Sequence, residues 1–153
     1  MRGIATVNFK GGVGKTTITW LLAKYAAEIA QRKILVIDTD AQMSLTLAVQ
    51  LQDSGSLYEG FAPWYDQHCD RKKTILDALD AYEKMDGGYF DFPIDQTFIY
   101  RVGPNLDFIP SVVDLYWLEL GIFDRERMKH FVRALLGKLE YSRSHQYDYV
   151  FFD

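Results

Sequence analysis

Residues 8–17 read NFKGGVGKTT, two lysines bracketing three glycines. An apolar, β-branched run, GIATVNF, ends at Phe9, and a helical pattern begins at Thr16. A glycine-rich turn between a strand and a helix can curl its backbone N–H groups around an anion, and the helix N-terminus adds partial positive charge. The candidate phosphate contacts are therefore Lys10, Gly11, Gly12, Val13, Gly14, Lys15, Thr16 and Thr17. Within them, Lys15 can reach the outer phosphate oxygens of a nucleotide, and the Thr16 hydroxyl can ligate Mg²⁺.

Three acids suit the same chemistry. Asp153 closes YDYVFFD, where a strand-final carboxylate can hold Mg²⁺ through its water shell or can simply end the strand as a turn residue or cap. Asp38 and Asp40 stand one residue apart in VIDTDAQ. If the chain stays extended there, both approach one rim, one supporting the metal's shell and the other orienting a water. The alternative is that one of them caps a helix beginning near Ala41.

These groups need elements to carry them. Strands are expected near Ile4, Lys33, Leu106 and Tyr147, each a short apolar run. Between them the spacing predicts helices. The first presents Ile18, Leu21, Leu22, Tyr25 and Ile29 on one face. A short one covers AQMSLTLAVQL. A third opens on a capping-box-like Thr74 and Asp77, with Ile75, Leu76, Leu79 and Tyr82 as its apolar face. Ser111 and Asp114 repeat that pattern for a helix through Leu120. Asp124 caps another, lined by Met128, Phe131, Val132, Leu135 and Leu139. The stretch 90–105 reads as loop with a short extended piece. Alternating strands and helices imply a three-layer α/β fold with a parallel sheet, and ligands of such sheets bind beyond the strands' carboxyl ends. The glycine loop, Asp38 and Asp153 all fall at such ends.

Bulk properties narrow the function. The chain has 153 residues, 48% hydrophobic and 25% charged, which suits one soluble globular domain. A formal charge of −4 gives no global drive toward nucleic acid or acidic lipid. Cys69 is the one cysteine, so neither an intrachain disulfide nor a metal–sulfur cluster held by this chain alone is available. His68 beside it finds no further zinc ligands nearby. Tyr58, Phe61, Trp64 and Tyr65 lack interleaved basic residues and read as a hydrophobic lid rather than a base-stacking platform. The chain opens directly on a strand-like run with no leader pattern, and no stretch is apolar enough to span a membrane, so the expected address is cytoplasmic.

KGGVGKTT, VIDTDAQMSLT, LDFIPSVVDLYWLE and YDYVFFD together resemble the ParA/MinD family of deviant phosphate-loop ATPases. The resemblance covers most of the chain, with a family-variable insertion at about 53–104. It implies ATP and Mg²⁺ as cofactors and Lys10, Lys15 and Asp40 as catalytic residues. It also implies Thr16, Asp38 and Asp153 around the metal, and an ATP-dependent homodimer in which Lys10 touches the partner's phosphates. A cation supplied in trans makes hydrolysis depend on dimerisation, as an arginine finger does. The expected role is partitioning of DNA or other cargo, with non-specific DNA and an adaptor protein as partners. Alternatives sharing the loop are a MinD-like membrane-cycling ATPase, a nucleotide-binding regulator and an iron-protein-type reductase. Ala41 stands where the family often has proline. The family continues past its second nucleotide motif, so residues 1–153 are expected to be the N-terminal portion of such a domain, weak or inactive alone. Its first strand would then be an edge prone to pair with another chain.

Overall fold

In the computed structural model the described residues are 1–8, 10–54, 66, 74–84, 98–121, 130–141 and 146–153. Phe9, the aromatic stretch 58–65, His68, Cys69, Asp124 and Met128 lie outside them, as does much of the expected insertion.

Five strands form one sheet: β1 (Arg2–Ala5), β2 (Ile34–Ile37), β3 (Tyr100–Gly103), β4 (Leu106–Ile109) and β5 (Tyr149–Phe152). Their order is β1-β5-β2-β4-β3. The pairings β1–β5, β5–β2 and β2–β4 are parallel, and β3 joins β4 antiparallel. The extended piece expected within 90–105 is thus a hairpin arm that closes one side of an otherwise parallel sheet. A two-residue turn at Pro104 and Asn105 is too short for a parallel return, which needs a crossover of a dozen residues or more.

The described helices are α1 (Lys15–Glu28), α2 (Ser44–Ser54), α3 (Ile75–Glu83), α4 (Leu115–Gly121) and α5 (Phe131–Tyr141). They cover both faces of the sheet, and β2 shows how. Ile34 and Val36 pack with Trp20, Ala23 and Ala27 of α1 and Leu45 and Val49 of α2. Leu35 and Ile37 point the other way, to Ile75, Ala78 and Leu79 of α3, Leu115 of α4 and Leu135 and Leu139 of α5. All four β2 residues are buried, as a central strand with two covered faces requires.

α3 starts as its sequence foretold. Thr74 donates from its N–H at 2.9 Å and from its hydroxyl at 2.8 Å to the Asp77 carboxylate, and the helix begins at Ile75. α5 buries Phe131, Leu135 and Leu139 but leaves Val132 exposed.

α1 departs from its expected orientation. Leu21, Tyr25 and Ile29 are 61, 62 and 66% exposed, and Ile18 and Leu22 are also exposed. Thr19, Trp20, Ala23 and Ala27 meet the sheet instead. The helix carries apolar residues on two nearly opposite faces, so periodicity picked the bulkier one. The small side chains of Ala23 and Ala27 let the backbone approach the strands closely, while Trp20 fills the space beside them. β1 is exposed at all four residues and borders only β5, so the edge expected from the sequence is present among the described residues.

Candidate functional site

Strand register assembles the site. Ala5 of β1 and Ile37 of β2 both lie opposite Phe152 of β5. The next residues on these three strands, Thr6, Asp38 and Asp153, therefore leave the sheet side by side. Backbone bonds hold the rim in place. The Asp153 N–H donates to the Ile37 carbonyl at 3.0 Å and the Asp38 N–H to the Ile109 carbonyl at 3.0 Å. The Thr39 N–H at 2.9 Å and its hydroxyl at 2.6 Å donate to the Asp153 carbonyl.

The glycine loop runs from this rim into α1. Gly12 and Gly14 sit at φ 70° and 85°, a left-handed conformation that a side chain resists, and Gly14 is the N-cap of α1. A Cβ at Gly11, Gly12 or Gly14 would find no protein atom within 4 Å. The first turn of α1 carries no acidic residue, so nothing within it offsets the positive helix end. The Thr19 hydroxyl donates to the Thr6 hydroxyl at 2.9 Å, pinning the helix to the exit of β1. Lys10 is exposed, its backbone N–H bonded to Asn8 Oδ1 at 2.9 Å, while Lys15 and Thr16 are half-buried. Val13 and Thr17 are exposed on the same loop. Neither lysine side chain has an ion pair or hydrogen bond among the described residues.

The acids differ from one another. Asp38 is fully buried. Its Oδ1 accepts the Asp40 N–H at 3.1 Å, and its Oδ2 accepts the Thr46 N–H at 2.8 Å and the Thr46 hydroxyl at 2.6 Å. Burial raises its carboxyl to about 6 despite those donors, and repulsion from Asp153 adds to the rise. Asp40 is half-buried, and its Oδ1 accepts the Gln42 N–H at 2.8 Å. Asp153 holds a buried Oδ1 with no hydrogen-bond partner.

That orphaned oxygen fits a cation site, since a buried carboxylate oxygen without a donor is costly unless something positive meets it. Among the described residues no three His, Cys, Asp or Glu cluster together. This suits Mg²⁺, which takes one or two protein oxygens and completes its shell with water and phosphate. Thr16 is half-buried in the first turn of α1, and Asp153 carries the orphaned oxygen at the end of β5. Asp38 sits at the same rim, but both its oxygens are already engaged by protein donors, so it acts as scaffold before anything else.

Ser111 corrects an expectation. It was read as a helix cap, yet its hydroxyl donates to the Asp40 carbonyl at 2.8 Å and its N–H to the Thr46 hydroxyl at 3.0 Å. α4 starts four residues later, at Leu115. Thr46 and Ser111 are the residues of this site that local patterns did not single out. Only the adjacency of β2 and β4 brings them together.

Comparison with known proteins gives concordant results. A family profile described as an AAA domain matches residues 1–153. A ParA family protein of Chlamydia trachomatis is 30% identical over 156 residues, covering 100% of this chain and 49% of its own length. The cell division protein PomZ of Myxococcus xanthus is 30% identical over 147 residues, covering 96% of this chain and 37% of its own. A solved plasmid partition protein of Borrelia burgdorferi bound to AMPPNP superposes with a TM-score of 0.67 at 26% identity, over 99% of this chain and 52% of that one. The chain thus spans about half the length, or less, of these relatives.

Proposed function

The chain belongs to the ParA-like family of phosphate-loop ATPases, and from that premise we propose that it forms the phosphate- and magnesium-binding half of an ATP-driven dimerisation switch. The loop amides and Lys15 hold the β- and γ-phosphates. Thr16 and Asp153 hold Mg²⁺, which when bound neutralises charge developing on the transferred phosphoryl group. Asp38 stands behind them and fixes the turn that carries Asp40. Asp40 orients the attacking water, and Lys10 extends across to the partner's nucleotide.

One observation carries this reading: the register that places the loop-bearing strand, the Asp153 strand and the Asp38 strand side by side at one rim. Supporting it is the solved partition relative that binds an ATP analogue. The exposed position of Lys10 suits a residue whose target lies on another molecule.

The cellular role we propose is positioning of DNA or another cargo in the cytoplasm, with non-specific DNA and an adaptor protein as partners, a reading supported by the plasmid-partition and cell-division relatives. No helix among the described residues is long and apolar enough to cross a membrane. Calorimetric titration with Mg-ATP tests the site. Saturable binding that requires magnesium and is lost in Lys15→Ala supports it, and binding unaffected by either change overturns it.

A further inference from the structure

We infer that Thr46 and Ser111 are positioning residues for Asp40, closing a hydrogen-bonded ring that clamps the turn after β2 onto the exit of β4. The inference rests on the reading of Asp40 given above. The ring has four members. The Asp40 N–H donates to Asp38 Oδ1 at 3.1 Å, and the Asp40 carbonyl accepts the Ser111 hydroxyl at 2.8 Å. The Ser111 N–H donates to Thr46 Oγ1 at 3.0 Å, and Thr46 Oγ1 donates to Asp38 Oδ2 at 2.6 Å.

Each member makes two bonds of the ring: Asp38 accepts both of its bonds, Ser111 donates both, and Thr46 and Asp40 each donate one and accept one. The Thr46 hydroxyl gives its hydrogen to Asp38 and a lone pair to Ser111. Ser111 donates from backbone and side chain to different partners. Asp40 is gripped at both its backbone groups, and its carbonyl also accepts the Met43 N–H at 2.9 Å. Asp38, Thr46 and Ser111 are all fully buried, so water cannot substitute for a lost member. The ring spans 65 residues between Thr46 and Ser111 and 71 between Ser111 and Asp40. It makes the position of Asp40 a property of the sheet rather than of a surface turn. A water-orienting carboxylate needs such support, because small misplacements cost much of its rate effect.

The test uses Ser111→Ala, Thr46→Val and Thr46→Ser in the full chain. Three readouts are taken: amide hydrogen exchange across residues 38–46, ATP affinity by calorimetry, and single-turnover hydrolysis. Loss of one buried hydrogen bond should speed exchange of the Asp40 amide about fivefold in Ser111→Ala. Amides of β2 should keep their wild-type rates. ATP affinity should stay within about twofold while the single-turnover rate falls by about the same factor as exchange rises. Thr46→Val should reproduce this pattern, and Thr46→Ser, which keeps the hydroxyl, should match wild type.

Unchanged exchange in Ser111→Ala overturns the ring. Thr46→Ser as damaging as Thr46→Val also overturns it, since the methyl group rather than the hydroxyl would then matter. Exchange needs no catalysis and decides the clamp by itself. If Asp40→Ala hydrolyses ATP at the wild-type rate, the reading of Asp40 has failed and the positioning claim falls with it. The exchange result then still reports whether the clamp exists.

Discussion

At the end of β1 the glycine loop is exposed from Gly11 to Val13, and its lysine side chains have no protein partner among the described residues. At the end of β2, two strand spacings away across β5 (about 10 Å), Asp38, Ala41, Met43, Leu45 and Thr46 are buried and the turn is bonded to β4 and β5. Both segments serve one rim. The loop is shaped mainly by local features: two positive-φ glycines, a helix end and the Asn8 side chain that holds the Lys10 N–H. The turn is shaped by tertiary hydrogen bonds. The proposed phosphate loop leaves its lysine side chains without protein partners among the described residues, whereas the proposed water-orienting carboxylate sits in a turn whose backbone groups are already satisfied.

This contrast predicts that loop substitutions change ligand binding and leave folding alone, while substitutions among the buried groups of the turn cost stability and leave ATP affinity nearly unchanged. Lys15→Ala is the sharpest probe. Losing a charged contact to phosphate should weaken ATP about a hundredfold, with the urea midpoint within error of wild type. A large drop in stability would mean that Lys15 has a structural partner and would erase the contrast.

Acidity gives the next largest effect. The Asp38 carboxyl titrates higher in the folded protein than in the unfolded chain, near 6 rather than 3.8. A raised acid stabilises the fold below the unfolded value, and that contribution is lost as pH rises through the folded value. Between about pH 4 and pH 6.5, magnesium-free protein should therefore lose up to about 3 kcal/mol from this group. Asp38→Asn should flatten the slope, measured by urea denaturation across that range. An identical slope in the variant would place the titration elsewhere.

Thr46→Val should follow, with about 2 kcal/mol of stability lost because Asp38 and the Ser111 N–H each lose a partner in a buried setting. A neutral result would show that water or a shifted side chain repairs the site. Asp40→Ala should be smallest on the fold and confined to chemistry: unchanged ATP affinity with single-turnover hydrolysis slowed about tenfold or more. A variant that binds ATP poorly would turn Asp40 from a water-orienting residue into a ligand contact.

Much of the proposed site is readable in the sequence because its signals are local. The order strand, glycine loop, Lys-Thr and helix lies within a dozen residues, and strand-final acids announce themselves by what precedes them. The Thr74–Asp77 cap was readable for the same reason, since both partners sit within one helical turn. Other features were hidden. α1 has two apolar faces, and its sequence cannot say which one the sheet will take. Ser111 matched a capping pattern, yet a partner 71 residues away claimed its hydroxyl.

The sequence by itself determined that a glycine loop would join the first strand to the first helix, which strands would end in acids, and that strands and helices would alternate into a layered α/β fold. Backbone conformation and short-range spacing encode those things, and they are present in the chain before it folds. Only the tertiary structure decided that Asp38 would be consumed as scaffold, that Asp153 would keep an unpaired buried oxygen, and that Thr46 and Ser111 would bind the Asp40 turn to β4. Those outcomes depend on which strands become neighbours and on where water is excluded. Both are settled by packing across the whole sheet, and no local stretch of residues records them.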